Sequence, residues 1–288
     1  MRLALIGLGL IGGSIARAVR SGPGSPFTEV VAWSPGGQGP AAAANAGIID
    51  RAAGSLEAAV DQADVVVLAA DPLSCLDLLD RVAALGVPAA AATITDVAST
   101  KGRIVERASQ LGLPFVGGHP MAGLETRGFE SSRPDLFRGR PWVLCPAPGA
   151  RPVDRERAEA LVGACGAEVQ WLDPLDHDRA VAAISHLPLA VAASLVDAVA
   201  AGDDWPLAQI LAAGGWASAT RLARGDPAMG AGIAATNAPE IARRIRGLRT
   251  QLDDWLADLE ATPDDPAATA GRIRARLGAA RRALAVDE

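Results

Sequence analysis

The sequence predicts an α/β protein: an N-terminal doubly wound parallel sheet over residues 1–172, then an all-helical domain over residues 173–288. Three observations carry this prediction. A glycine-rich turn joins the first strand to the first helix. Apolar strand-like runs then alternate with helical stretches as far as residue 172, the pattern of a parallel sheet with crossover helices. Beyond residue 173 only helical patterns remain. A length of 288 residues agrees with two domains of ~150 residues each.

Arg2 to Ile6 is an apolar strand, and Gly7-Leu8-Gly9-Leu10-Ile11-Gly12 follows it, with Ile15 to Arg20 helical. This is GxGxxG between strand and helix, the dinucleotide-binding (Rossmann) fingerprint. Gly7 permits the tight turn, Gly9 lets backbone approach a pyrophosphate, and Gly12 lets helix pack on strand. Gly7, Gly9, Leu10, Ile11 and Gly12 are therefore candidate cofactor-binding residues, with the pyrophosphate at the helix N-terminus. The second strand, Glu29 to Trp33, runs into Ser34-Pro35-Gly36-Gly37. The acid that would bind the ribose 2′-OH of NAD is missing there. Its absence permits NADP, with Ser34 the candidate donor to a 2′-phosphate. The cofactor is read as NADP or NAD.

Ala43 to Ala59 reads as helical, and Asp64 to Ala69 as a buried strand by its continuous apolar run. Ser74 to Leu85 is an amphipathic helix. Ala90 to Thr95 is a strand leading into Asp96-Val97-Ala98-Ser99-Thr100-Lys101-Gly102, and Ile104 to Leu111 is helical. Ser99 or Thr100 suits the cap of that helix, and one residue can both cap and touch a ligand. Leu113 to Val116 is a short strand. After it comes the loop Gly117-Gly118-His119-Pro120-Met121-Ala122-Gly123-Leu124-Glu125. An imidazole at the carboxyl end of a parallel strand stands where open α/β sheets bind ligands. Trp142 to Cys145 and Glu168 to Leu172 are the last strands, around a helix from Asp154 to Cys165.

In the helical part, one segment carries His177, Asp178 and Ser185-His186-Leu187-Pro188-Leu189, and another carries Thr220-Arg221-Leu222-Ala223. Asn237 is read as a helix cap with Pro239 in the first turn. Ile241, Ile245, Leu248, Leu252, Trp255 and Leu259 then recur at helical spacing, a stripe suited to a bundle or dimer seam.

Composition excludes several classes. A net charge of −6 argues against nucleic acid as partner. Tyrosine is absent and other aromatics are few, so base-stacking platforms are not expected. No uninterrupted apolar run reaches the ~18 residues of a spanning helix, so no membrane association is expected. The apolar start, Met1 to Ala16, lacks a clear cleavage site and is read as mature structure. Cys75, Cys145 and Cys165 are too few and scattered for disulfides or a metal site, which suits a cytoplasmic protein without metal.

With these residues assembled, the chain resembles the prephenate/arogenate dehydrogenase family of tyrosine biosynthesis over nearly its whole length. The resemblance rests on the glycine turn and on Thr95-Asp96-Val97-Ala98-Ser99-Thr100-Lys101, Gly118 to Glu125, His177-Asp178, Ser185-His186-Leu187-Pro188 and Thr220-Arg221-Leu222-Ala223. It implies that His119 is the catalytic base, hydrogen-bonded by Ser99, and that Arg221 binds the substrate's ring carboxylate. It implies that Glu125 and His186 are further substrate-binding residues. It implies a helical second domain that makes a homodimer and a small-molecule substrate, prephenate or arogenate. Two departures concern the substrate's side chain. Many prephenate-using members have a second histidine where this chain has Leu189, and a tryptophan where it has Gly230.

Two other readings stand beside this one. A β-hydroxyacid dehydrogenase-like oxidoreductase would share the architecture but usually relies on a lysine in its helical domain, and no lysine follows Lys101 here. A non-catalytic nucleotide-sensing protein would bind cofactor and leave His119 idle.

Overall fold

A computed structural model of the chain describes residues 1–22, 24–86, 92–124 and 126–285. Its contacts divide it into a unit Met1–Ala238 and a unit Pro239–Glu288.

The first unit is built on one eight-stranded sheet in the order β3-β2-β1-β4-β5-β6-β7-β8. The strands are β1 (Arg2–Ile6), β2 (Glu29–Trp33), β3 (Arg51–Ala52), β4 (Val65–Leu68), β5 (Thr93–Asp96), β6 (Phe115–Pro120), β7 (Pro141–Pro146) and β8 (Glu168–Trp171). The connecting helices are α1 (Leu10–Ser21), α2 (Gln38–Asn45), α3 (Leu56–Val60), α4 (Pro72–Ala84), α5 (Gly102–Gln110) and α6 (Pro152–Ala164). The chain order reverses direction across the sheet at β1, so the crevice of a doubly wound fold opens beyond the carboxyl ends of β1 and β4. Helices cover both faces. Leu3, Leu5, Ile15, Val116, Trp142 and Leu161 share one core, and Ile6, Val66, Leu79, Ile94, Ile104 and Phe115 the other. Alternate residues of β1 supply opposite cores, as a pleated strand requires. Every residue of β4 is buried, which explains its unbroken apolar run. Asp71 starts α4 by accepting the Leu73 and Ser74 N–H groups, with Pro72 in the first turn.

Three details differ from the expectations. The stretch read as helical from Ala43 to Ala59, with breaks at Gly47 and Gly54, is two short helices, and between the breaks it also holds the unexpected strand β3, whose two residues pair with Val31 and Ala32. The expected strand Leu113 to Val116 runs on to Pro120, so His119 lies within β6 rather than in a loop. And β6 pairs with β7 antiparallel, Gly118 opposite Leu144 and His119 opposite Val143, so the sheet is mixed. Residues 90 and 91 of the expected fifth strand lie outside the described residues.

After β8 the unit is helical: α7 (Pro174–Val181), a π turn (Ala182–His186), α8 (Leu187–Ala200), α9 (Trp205–Leu211), α10 (Gly214–Ala219), a 3₁₀ turn (Arg221–Arg224) and α11 (Pro227–Thr236). The continuous run Pro174–Ala200 is long and apolar enough to cross a bilayer by length and composition, with mean hydropathy 1.6. Alanine supplies much of that apolarity, and His177, Asp178, Arg179 and His186 interrupt it. The π turn has a local cause. Pro188 has no N–H to donate and its ring crowds the carbonyl four residues back, so the backbone widens by one residue there.

The second unit consists of the rest of α12 (Ala238–Glu260) and of α13 (Pro266–Leu284). Arg276 ties them together, donating to Asp258 at 2.6 and 2.9 Å and lying over the Trp255 ring.

Candidate active site

The site is built where β5 and β6 end. Gly118 is required there: a Cβ on it would lie 2.5 Å from the Asp96 carbonyl. The Asp96 carboxylate accepts the Gly118 N–H at 2.9 Å and the Ala98 N–H at 3.0 Å, and pairs with the Lys101 ammonium. Lys101 also donates to the Gly118 carbonyl at 2.7 Å. Both charges are fully buried. A buried ion pair holds its place only when further hydrogen bonds satisfy it, and here each partner is also bonded to backbone. The pair thereby pins the backbone next to His119.

His119 is buried, and its Nδ1 lies 2.8 Å from His177 Nε2. His177 Nδ1 in turn lies 2.8 Å from Asp178 Oδ1. The Asp178 carboxylate also accepts the Lys101 N–H at 2.7 Å and the Gly102 N–H at 2.8 Å, where α5 begins. A carboxylate only accepts, so the ring proton of a neutral His177 sits on Nδ1 and its Nε2 is an acceptor. His119 must then donate from Nδ1. Its Nε2 is left with the lone pair, which is the state a general base needs.

The π turn brings His186 to this cluster. In an unbroken α-helix, a residue eight positions after Asp178 would sit about 80° round the helix from it. The wider turn rotates His186 back toward the Asp178 side. Its Nδ1 lies 3.2 Å from Asn237 Nδ2, and the same Nδ2 donates to the Asp178 carbonyl at 2.8 Å. Asn237 stands at the junction of α11 and α12, directly before the helix it was expected to cap, and its side-chain NH₂ turns inward to these two groups.

Both rings are held neutral. Burial pushes His119 well below its ordinary value, helped by the Lys101 ammonium and by the cost of placing a further proton beside His177 and His186. Burial also lowers His186, to about 4, against an upward pull from Asp178. An unfolded chain would take up protons at these histidines as pH falls through ~6.5, whereas the fold would not. Their contribution is therefore fully present above ~6.5 and is lost as pH falls. For His186 the loss runs from its unfolded value to about 4. The melting temperature is expected to drop steadily from pH 7 to pH 4.5, above the range where Asp50 and Asp154, whose carboxyls are held low, contribute. A melting temperature that is flat over that interval contradicts this.

The glycine turn fits a dinucleotide. A Cβ on Gly7 would meet the Ala69 carbonyl at 2.3 Å and one on Gly12 the Gly7 carbonyl at 2.2 Å, so strand, turn and helix close tightly. Around Gly9 nothing lies within 4 Å of that position, leaving open space before α1. No side chain caps α1, so the Leu10 and Ile11 amides at its N-terminus face that space without a competing acceptor. Ser34 follows β2, its carbonyl accepting the Gly37 N–H at 3.0 Å. The Arg81 guanidinium lies 5.3 Å from the centre of the neighbouring Trp33 ring.

Other expected residues are placed as follows. Among the described residues Ser99 makes no hydrogen bond to His119, because the Nδ1 edge of that ring is turned to His177. The Ser99 backbone instead stands beside His186. Arg221 is exposed and opens the 3₁₀ turn, which packs on α8. Glu125 lies outside the described residues. Leu189 and Gly230, the two departures from the family pattern, are neighbours: a Cβ on Gly230 would be 3.6 Å from Leu189 Cδ2. The sequence reading gave no role in the site to His177, Asp178 or Lys101, and read Asn237 only as a helix cap. The one signal for the first two was their adjacency in a quoted motif.

Residues 15–170 match the family described as "Prephenate dehydrogenase, nucleotide-binding domain", and residues 173–264 the one described as "Prephenate dehydrogenase, dimerization domain". The chain is similar to the prephenate dehydrogenase of Bacillus subtilis (strain 168), with 34% identity over 263 residues, 90% of this chain and 68% of that protein. It is similar to the crystal structure of Synechocystis arogenate dehydrogenase (TM-score 0.79, 30% identity, 99% and 100% of the two chains). It is also similar to prephenate dehydrogenase from A. aeolicus in complex with hydroxyphenyl propionate and NAD+ (TM-score 0.83, 26% identity, 98% of each chain).

Proposed function

Because the chain belongs to the prephenate dehydrogenase family, we propose that it oxidatively decarboxylates prephenate or arogenate, with His119 as the base. The observation that carries this reading is the chain Asp178–His177–His119, which leaves the lone pair of His119 Nε2 as a proton acceptor. The substrate is a cyclohexadienyl alcohol with a carboxylated quaternary carbon. Bound at the glycine turn, NAD(P) supplies a hydride acceptor for the carbon bearing the hydroxyl. His119 Nε2 takes the hydroxyl proton as the carbonyl forms. The ring carboxylate leaves as carbon dioxide, and its electron pair completes the aromatic ring. Arg221 holds that carboxylate through its planar fork. Ser99 and His186 line the same end of the site, and Glu125 is assigned to substrate binding by its motif alone.

The division at residue 172 belongs to the same reading and follows the two family matches, 15–170 and 173–264. Among cofactors, NADP is expected to be accepted beside NAD, since no carboxylate after Trp33 repels a 2′-phosphate and Ser34 offers a donor. The test is an assay of both substrates with both cofactors. Reduced nicotinamide and carbon dioxide should appear one for one in at least one combination. No reduction in any of the four removes the assignment.

A homodimer in the cytoplasm is also part of this proposal. Ile184, Ile210 and Leu211 are 69%, 81% and 71% exposed, and the second unit exposes Leu252, Leu256, Leu259 and Leu277. Apolar side chains at this density call for a cover, and the match to a dimerization domain favours a second copy over lipid. Sedimentation should give a mass twice the 29.3 kDa of one chain; a monomer at micromolar concentration contradicts it.

Leu189 and Gly230 favour arogenate. A histidine at 189 would donate to the keto oxygen of prephenate's side chain, and leucine cannot. An unpaired buried carbonyl costs ~1–3 kcal/mol, one to two powers of ten. Gly230 brings no side chain of its own, and the position where its Cβ would stand faces Leu189 Cδ2 at 3.6 Å. Appreciable arogenate activity is expected, and Leu189→His should shift kcat/KM toward prephenate by ~10-fold or more. A native enzyme inert to arogenate, or a variant with no shift, rejects this.

A further inference from the structure

His119 and His186 face one site, yet their hydrogen bonds put the ring proton on opposite nitrogens. For His186 the determinant is Asn237, a residue 3% exposed at the end of α11. Its amide could be turned either way, but one neighbour decides. The Asp178 carbonyl, 2.8 Å away, only accepts, so it must be faced by the NH₂ group rather than the amide oxygen. The second hydrogen of that NH₂ is then aimed at His186 Nδ1, at 3.2 Å. A ring nitrogen that receives a hydrogen bond carries no proton. The single proton of a neutral His186 therefore sits on Nε2.

That Nε2 is buried and, among the described residues, has no hydrogen-bond partner. The Ser99 backbone stands beside the ring and favours its protonated form, but makes no hydrogen bond to Nε2 by geometry. The titratable groups facing the ring are Asp178 and His177 of α7 and His119 of β6. None of them meets Nε2. A buried donor without an acceptor is costly, and it is kept where a ligand brings the acceptor.

We propose that Asn237 is a positioning residue that locks His186 as a neutral Nε2–H donor to an acceptor oxygen of the bound substrate. His119 and His186 thus divide the work: one ring accepts a proton from the substrate, the other donates a hydrogen bond to it without titrating. This rests on the substrate reading above but makes a claim about the protein alone. The neutral state agrees with the lowered proton affinity of His186.

The chain has only three histidines, so ¹⁵N-histidine NMR of the whole protein can assign each tautomer. The expected spectrum shows His186 protonated at Nε2 and His119 at Nδ1 near pH 7. Asn237→Asp presents only acceptors, so His186 should move its proton to Nδ1 or become doubly protonated. In that variant KM for prephenate or arogenate should rise ~10-fold or more, while cofactor KM stays within about threefold. Two further variants keep the idea falsifiable if Asn237→Asp does not fold. Glutamine can place an N–H where Nε2 stands, so His186→Gln should hold substrate KM within a few-fold. Asparagine is too short, so His186→Asn should show the full loss. A wild-type His186 protonated at Nδ1, or equal KM values in the glutamine and asparagine variants, overturns the proposal. The tautomer result stands whether or not either substrate is turned over, so a failed substrate assignment is separable from a failed role for Asn237.

Discussion

His119→Asn is expected to lower kcat by ~10²–10⁴, the usual contribution of a positioned general base, with cofactor affinity within a few-fold of the native value. Asparagine keeps a polar group of similar reach but offers no nitrogen lone pair. In the native protein that lone pair is prepared by three things. Asp178 is fixed by two backbone N–H groups at the start of α5, His177 passes its orientation on, and burial keeps His119 unprotonated. Because the ring resists protonation, the native rate should not fall at the ordinary histidine value as pH decreases. It should persist well below it. The glycine turn at residues 7–12 does not involve His119, so tryptophan-fluorescence titration of NAD and NADP should see little change. Near-normal turnover in the variant, with circular dichroism matching the native protein, would assign the proton to another group.

How far the sequence was legible differs between fold and site. The glycine turn could be read because its requirement is local: Gly7 and Gly12 leave no room for a Cβ, whatever the rest of the chain does. β4 could be read because a strand buried on both faces must be apolar throughout. β3 could not, since Arg51 and Ala52 are both exposed and join the sheet only through backbone pairing with β2. The reversal at β7 left no mark either. Parallel and antiparallel strands buried on both faces carry the same residue types, and direction is set by the length and course of the connection.

In the site, the positions were legible but the pairings were not. Gly118-His119-Pro120 announces an unusual strand end, yet nothing in it says that His177, 58 residues later, will hold the ring in place of Ser99. The π turn at 182–186 decides which way His186 points. Its signal, Pro188 inside a helical pattern, was visible, but the rotation it causes follows only from the backbone. Asn237 was read only in part, for a general reason. An asparagine beside a helix end is most often a cap, and only the neighbouring Asp178 carbonyl and His186 ring show its other use.

Arg221→Ala is expected to raise KM for the substrate by about 30-fold to several-thousand-fold, because removing one partner of a desolvated charge pair costs about 2–5 kcal/mol. The position suits the task. Arg221 opens the 3₁₀ turn directly after Thr220, which is buried and anchored by its N–H and hydroxyl to the Trp216 carbonyl at 3.0 and 2.8 Å. The turn packs on α8, the helix that carries Leu189, so a carboxylate held at Arg221 and a side chain recognised beside Leu189 belong to neighbouring elements. Arg221 is an exposed residue in the chain without substrate, and an exposed charge contributes little to folding, so the larger effect should appear on binding, when the substrate carboxylate leaves water. Folding stability should therefore change little in Arg221→Ala, while KM changes greatly. Arg221→Lys keeps the charge but replaces a planar fork with a point donor, and should recover only part of the loss. The measurement is KM and kcat for both substrates in the two variants, with melting temperature as control. An unchanged KM in the alanine variant moves the carboxylate site to another cation, and equal KM values for lysine and arginine rule out a bidentate contact.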